Sequence, residues 1–363
     1  MDSNKTKFTL QSLGLIVSES CNLDCSYCYV SNKSDKKMEL ETAQNAIKIF
    51  MSNRNSLEKV RIDFMGGEPL TAFTLICDIC EWVWESQWKD QIYFFITTNG
   101  TLLSNKMKQW FSKNRNKIIL SLSYDGNFAQ VCNRSGINLD LTFFRETWPN
   151  QPFKLTITEK SVQYLAEDII SLHKNHILFV ATFEMGAPVW SGQNVQTFEN
   201  QMKQLTDFYC KYPKLNMLQD FDIWLSTMFD SNPYKQHCGM ARSFYVVDTK
   251  GDTYPCQMMS SLAFSEEELS KIKDNIFIDN TKNTIEGCKD CILDCICPIC
   301  YSMSMKRFSN PFIREPNICK LFKIEILYIC KYIIKMMVIK KKFTYEDIIY
   351  TEAVAVILDG LFI

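Results

Sequence analysis

Between residues 12 and 211 short apolar runs alternate with longer stretches of helical period, and this alternation restricts the possible folds most. The runs are 13–18, 60–65, 92–97, 117–123, 153–158 and 177–185. The helical stretches lie at 38–53, 74–88, 104–114, 162–175 and 195–212. Strands that are apolar almost throughout must be buried on both faces, the condition of a parallel sheet with helices packed outside it. An α/β fold is therefore expected for this part of the chain.

The first apolar run leads directly into SESCNLDCSYCYV, which places Cys21, Cys25 and Cys28 in a CxxxCxxC spacing. Three thiolates this close can hold three corners of a 4Fe-4S cube and leave the fourth iron open for chemistry. Zinc is the competing reading, although the first histidine in the chain is His173. Chance also competes, because the chain holds 16 cysteines. Neither a small size nor a signal peptide points to a disulfide framework, so the cysteines are expected to serve as metal ligands in a reducing, cytoplasmic setting. The net charge of −1 gives no electrostatic reason to expect nucleic acid. The most apolar tract, 321–339, is broken by Lys323, Glu325, Lys331 and Lys335 and reads as an amphipathic helix, so no membrane span is expected.

Further short motifs follow the other runs. Gly66-Gly67-Glu68-Pro69 follows VRIDFM, Thr98-Asn99-Gly100 follows YFFIT, and Ser123-Tyr124-Asp125-Gly126 follows IILSL, with Arg134 shortly after. Together with the cysteine loop, in which Tyr27 fills an aromatic place, they resemble the radical S-adenosylmethionine (SAM) enzymes. The resemblance implies a partial (β/α)6 TIM-like barrel over residues 10–215, with the site at the strand C-termini. It also implies that Cys21, Cys25 and Cys28 carry the SAM cluster. SAM contacts would come from Tyr27, Gly66, Gly67, Glu68, Pro69, Asn99, Ser123, Asp125 and Arg134. The GGEP loop would meet the amino group of SAM, and Arg134 its carboxylate.

Beyond the barrel the composition changes. Cys238 and Cys256 bracket CGMARSFYVVDTKGDTYPC, in which FYVVDTKGDTYPC reads as a β-hairpin with Asp248-Thr249-Lys250-Gly251 as its turn. CKDCILDCICPIC and a later Cys319 follow. A pair of zinc knuckles would use such CxxC spacings too. The layout resembles the SPASM extension of radical SAM enzymes, here expected over 235–325 and followed by a helical tail over 326–363. Carried over, Cys238, Cys256 and Cys300 would bind auxiliary cluster I, and Cys288, Cys291, Cys297 and Cys319 auxiliary cluster II. Three 4Fe-4S clusters are thus implied. The fourth position of auxiliary cluster I is expected to be open or taken by substrate, with His237, Cys210 and Cys295 as alternatives.

SPASM relatives act mostly on peptides or proteins, which implies a peptide substrate, most simply a small precursor peptide that receives a thioether or carbon–carbon crosslink. Sulfatase-type formylglycine maturation and small-molecule dehydrogenation are the alternatives. Sulfatase-maturing relatives place an Asp base after the second hairpin cysteine, where this chain has Gln257, and an amide is no carboxylate base. With about ten residues before the first strand, a leader-binding domain is expected on a separate protein, if one is used. A flavodoxin or ferredoxin is the expected electron donor. Cys77, Cys80, Cys132, Cys210 and Cys330 read as core or idle thiols, and His173 and His176 suit a helix end. The tail 353–363 is expected to pack on the barrel.

Overall fold

The computed structural model describes residues 11–54, 58–134, 136–137, 139–185, 190–215, 217, 225, 228, 240, 243–273, 288, 291–340 and 342–362. Strands β1 (Ser12–Ser18), β2 (Val60–Gly66), β3 (Ile92–Thr98) and β4 (Ile118–Leu122) run parallel in the spatial order β4-β3-β2-β1. Leu13, Leu15, Ile16 and Val17 of β1 have no exposed surface, as a central parallel strand requires. Helices α1 (Leu40–Ser52), α2 (Phe73–Trp84) and α3 (Asn105–Asn114) connect these strands. The last two meet through aromatic side chains, Trp84 stacking on Trp110 and Phe73 meeting Phe111, while Trp84 also meets Phe94 of β3.

The expected arc of six parallel strands is interrupted after the fourth. β5 (Phe153–Ile157) and β6 (Phe179–Phe183) form their own parallel pair, joined to β4 through a single bridge from Ser123 to Lys154. Two helices absent from the sequence expectation, α4 (Asn127–Arg134) and α5 (Leu141–Thr147), fill the connection across this gap. α6 (Leu165–Lys174) links β5 to β6, and α7 (Gly192–Lys211) follows, capped by Ser191, whose hydroxyl accepts from the Asn194 N–H. At the end of α6, His176 takes the left-handed conformation, and the ring of His173 meets the Tyr209 hydroxyl at 2.7 Å.

The hairpin forms as expected: β7 (Phe244–Val247) and β8 (Thr253–Tyr254) are antiparallel, with the Gly251 N–H donating to the Asp248 carbonyl at 3.1 Å. It is not a separate layer. β7 pairs in parallel with β1, from Ser12–Phe244 to Leu15–Val247, and extends the main sheet on its free edge. Cys238 and His237 lie outside the described residues. α8 (Glu266–Lys273) and α9 (Tyr301–Phe308) follow, and then the long α10 (Pro316–Ile339) runs without a break across 325 and 326. Glu315 caps α10 and Pro316 opens it, and α10 packs along α7. The tail forms α11 (Tyr345–Phe362), which packs on α10, with Ala353, Val354 and Ile357 buried in the main core cluster. Among the described residues no helix is long and apolar enough to cross a membrane.

Candidate active site at the carboxyl ends of the strands

The cysteine loop leaves β1 at Ser18 and is held by its own turns. The Cys28 N–H donates to the Cys25 carbonyl at 3.0 Å, and the Ser26 N–H donates to the Asn133 carbonyl of α4 at 3.1 Å. Burial pushes the Cys21 and Cys25 thiols up, and Cys28 raises both further by charge repulsion. Only Lys33, at Cys21, and Arg134, at Cys25, pull the other way among the charged groups. Thiolates that crowd one another are a donor set suited to a cationic metal group. Among the described residues no three His, Cys, Asp or Glu groups converge on a single-ion position.

The GGEP loop lies against the chain that leads into Cys21. Gly66 sits at φ +146°, and a Cβ there would stand 1.9 Å from the Ser18 carbonyl oxygen. At Gly67 a Cβ would come within 2.4 Å of the Ser20 carbonyl oxygen and 2.9 Å of Cys21 Cβ. The Gly67 and Glu68 N–H groups donate to the Ser18 and Ser20 carbonyls at 3.0 and 2.8 Å. Two glycines are needed here because two backbones touch. Gly67→Ala is expected to destabilise the protein by about 1–3 kcal/mol through overpacking and to lower iron retention at the first cluster. Anaerobic denaturant unfolding and an iron assay check this; an unchanged midpoint with full iron would contradict the contact.

Glu68 is 1% exposed, and its carboxylate is already engaged. It accepts from the Leu70 N–H at 3.1 Å, the Thr98 hydroxyl at 2.7 Å and the Asn99 N–H at 2.8 Å. Burial pushes its carboxyl up, and the Asn99, Thr98 and Leu70 donors oppose that shift. Pro69 opens a short 3₁₀ turn beneath it. Glu68 therefore ties the end of β2 to the end of β3. Asn99 continues the tie: its amide donates to Asn22 Oδ1 at 3.1 Å, and the Asn22 amide donates to Thr101 Oγ1 at 2.7 Å. Asn22 and Thr101 belong to no motif, and Asn22 gains its role only from Asn99 and Thr101, 77 and 79 residues away.

At the end of β4 the Ser123 N–H donates to the Thr98 carbonyl at 2.9 Å. Asp125 has no exposed surface and collects four kinds of donor: Tyr27 hydroxyl at 3.1 Å, Asn133 amide at 3.2 Å, Arg134 Nε at 3.0 Å and the Thr156 N–H at 2.9 Å. The Arg134 guanidinium lies 5.1 Å from the Tyr27 ring centre, a cation–π arrangement. The aromatic residue of the cysteine loop is thus clamped between an acid and a base from the fourth βα unit. Tyr27, Glu68, Asn99, Ser123, Asp125 and Arg134 belong to one hydrogen-bonded frame around the cysteine loop.

A cavity of about 770 Å³ opens beside this frame. Tyr27 and Tyr29 of the cysteine loop line it, together with Cys256, Gln257, Met258 and Cys300. The chain that follows Cys256 is docked on the cysteine loop: the Ser31 and Asn32 N–H groups donate to the Leu262 carbonyl at 3.0 and 3.1 Å. Cys210 lies on α7 near Lys335 and Asp207, and Cys295 packs against the main core; neither lines the cavity.

The second cysteine set also comes together. Burial pushes Cys297 up to about 12, with Arg314 opposing and Cys319 and Cys291 adding. Cys319 is likewise raised, first by burial and then by Cys291 and Cys288. Four thiols are therefore in electrostatic reach of one another. Arg314 stands among them, salt-bridged to Asp294 at 2.5 Å, while its Nε and Nη1 are buried without a partner. Two orphaned guanidinium donors beside four thiols fit an anionic thiolate-bound cluster in the gap.

A family profile described as "4Fe-4S single cluster domain" matches residues 13–139, the part of the chain that carries Cys21, Cys25 and Cys28. A probable GTP 3',8-cyclase of Methanocaldococcus jannaschii is 30% identical over 66% of this chain and 85% of its own length. The chain belongs to the radical SAM superfamily. It is an enzyme of the SPASM subgroup. A cysteine-type anaerobic sulfatase-maturating enzyme of Clostridium novyi is 23% identical over 78% of this chain and 86% of that protein. The solved structure of "Native anSMEcpe with bound AdoMet and Cp18Cys peptide" superposes with a TM-score of 0.67 at 20% identity, covering 91% of this chain and 99% of that one. The radical SAM fold is thereby shared across nearly the whole chain.

Proposed function

We propose that this radical SAM enzyme is a peptide maturase that removes a hydrogen atom from a residue of a peptide and completes a crosslink, thioether or carbon–carbon. One observation carries this reading: the cavity of about 770 Å³ is lined both by Tyr27 and Tyr29 of the cysteine loop and by Cys256 and Cys300 of the second cysteine set. A peptide loop entering there lies between the radical source and an electron acceptor. When bound, SAM and a reduced 4Fe-4S cluster would supply the hydrogen-abstracting 5′-deoxyadenosyl radical. The protein's residues fix positions. Cys21, Cys25 and Cys28 would hold the first cluster, the backbone of the GGEP loop would receive the SAM ammonium, and Arg134 would pair with its carboxylate. Glu68 and Asn99 act as positioning residues, since their side chains are spent on neighbouring loops.

Cys256 and Cys300, with Cys238, are assigned to auxiliary cluster I, and Cys288, Cys291, Cys297 and Cys319 to auxiliary cluster II, giving three 4Fe-4S clusters. The peptide substrate is supported by the relatives: one solved structure similar to this chain holds a peptide beside AdoMet. Crosslinking is favoured over formylglycine formation by Gln257, because the residue after Cys256 cannot ionise as a base. A flavodoxin or ferredoxin completes the reaction as electron donor, and a separate protein supplies leader binding if the substrate carries a leader. Mass spectrometry of a treated cysteine peptide tests the choice. Loss of two hydrogens with sulfur retained supports crosslinking, and loss of the sulfur supports the formylglycine alternative.

A further inference from the structure

Glu184 follows β6 directly, at the same end of the barrel as the cysteine loop. Its backbone is fixed from both sides: its N–H donates to the Ile157 carbonyl at 2.8 Å, and its carbonyl accepts from the Trp190 indole at 3.3 Å. The residue is 5% exposed and lines the large cavity, yet its Oε1 is buried without a hydrogen-bond partner. Gln257 lines the same cavity, and its Oε1 is likewise buried and unpartnered. A buried oxygen left unpaired costs stability, so two side chains of one cavity wall that each keep an unsatisfied acceptor mark where donors of a bound molecule would be stabilising. Lys154, Tyr27, Tyr29, Tyr301 and Glu325 are the other ionisable non-thiol groups on the cavity wall. Glu159 and Lys160, from the turn after β5, act on Glu184 electrostatically.

From this geometry we propose that Glu184 is the general base of the substrate reaction, taking the place of the carboxylate missing after Cys256. The inference rests on the peptide reading above. The substrate's S–H bond breaks, its electron pair stays on sulfur, and the proton passes to the Glu184 carboxylate. The attacked carbon loses its hydrogen atom to the 5′-deoxyadenosyl radical. As the sulfur–carbon bond forms, the remaining electron passes to an oxidised auxiliary iron–sulfur cluster. Gln257 accepts a hydrogen bond from the bound peptide and orients it. Burial, then Glu159, pushes the Glu184 carboxyl up to about 7, against the opposing pull of Lys160. Such a group is half ionised near neutrality, where a base is most effective. Because the ionised form is the active one, turnover rises with pH through about 7 and fails below it.

The test compares wild-type holoenzyme with Glu184→Gln and Glu184→Asp on a synthetic peptide carrying one central cysteine. The readouts are crosslinked product formed per 5′-deoxyadenosine released, across pH 5.5–8.5, and infrared pH-difference spectra without peptide. The expected result is a ratio about 100-fold or more lower in Glu184→Gln, partial rescue in Glu184→Asp, and loss of the limb near pH 7. In the infrared spectra a carboxylic acid band should titrate near 7 in the wild type and be missing from Glu184→Gln. An unchanged ratio in Glu184→Gln, a parallel loss of product and 5′-deoxyadenosine, or no such infrared band overturns the proposal. A wild type that cleaves SAM but leaves the peptide untouched contradicts the peptide reading instead, and the infrared band then decides the state of Glu184.

Discussion

Replacing Cys21, Cys25 and Cys28 together with alanine is expected to abolish SAM cleavage and to remove about four irons per chain, leaving about eight. The three thiols sit on a loop above the sheet and contribute nothing to its apolar core. Their removal therefore acts on the cluster and spares the fold. The seven cysteines proposed as auxiliary ligands come later in the chain, in a region whose described residues dock on the cysteine loop at Ser31 and Asn32 and, through α10, on α7. Iron analysis, quantification of 5′-deoxyadenosine and circular dichroism on the reconstituted variant check all three statements. Retained SAM cleavage, or loss of all iron, would contradict the division into one reactive and two auxiliary clusters.

Asp125→Ala is expected to have the largest effect on stability, about 3–5 kcal/mol. Burial works against the charge of Arg134, yet Asp125, then Tyr27 and Cys25, hold its pKa above the ordinary value. Removing Asp125 strands a guanidinium that is 8% exposed. It also leaves the Thr156 N–H and the Tyr27 hydroxyl without their acceptor. Asp125→Asn keeps an acceptor oxygen and loses only the charge, so its cost should be smaller. Anaerobic urea unfolding of the two variants beside wild type measures both. A cost under about 1 kcal/mol for the alanine variant would show that Arg134 finds another partner or water.

The elements that were legible from sequence are those whose burial is decided locally. β1 is apolar at nearly every position, and Asp248 to Gly251 carries turn chemistry, so both appear where the residues indicate. Asn127–Arg134 was not legible as a helix, because its start is completed from a distance. Asp168, on α6, accepts the Phe128 and Ala129 N–H groups at 2.9 Å each, from 40 and 39 residues away. The break between β4 and β5 has the same origin: Ser123 and Lys154 alone bridge them, and no apolar pattern reports a missing ladder. The docking of β7 on β1 also depends on pairing between segments more than two hundred residues apart.

Within the site, the chemistry-bearing residues of the motifs were readable and their roles were not. Glu68 is a carboxylate in a loop when read in the chain, and a buried tie between two strands when read in space. Glu184 was invisible for the opposite reason. In ILFVATFEM it is one acidic residue closing an apolar run, and only the cavity gives it meaning. Arg314 likewise gains significance from the thiols that surround it.

The central claim is that the cysteine loop holds a cluster that cleaves SAM, served by two further clusters. Anaerobic reconstitution of the full chain, followed by dithionite reduction with SAM, tests it most directly. The account predicts about twelve irons per chain and release of 5′-deoxyadenosine and methionine. Zinc in place of iron, or a fully loaded protein that leaves SAM intact, would contradict it.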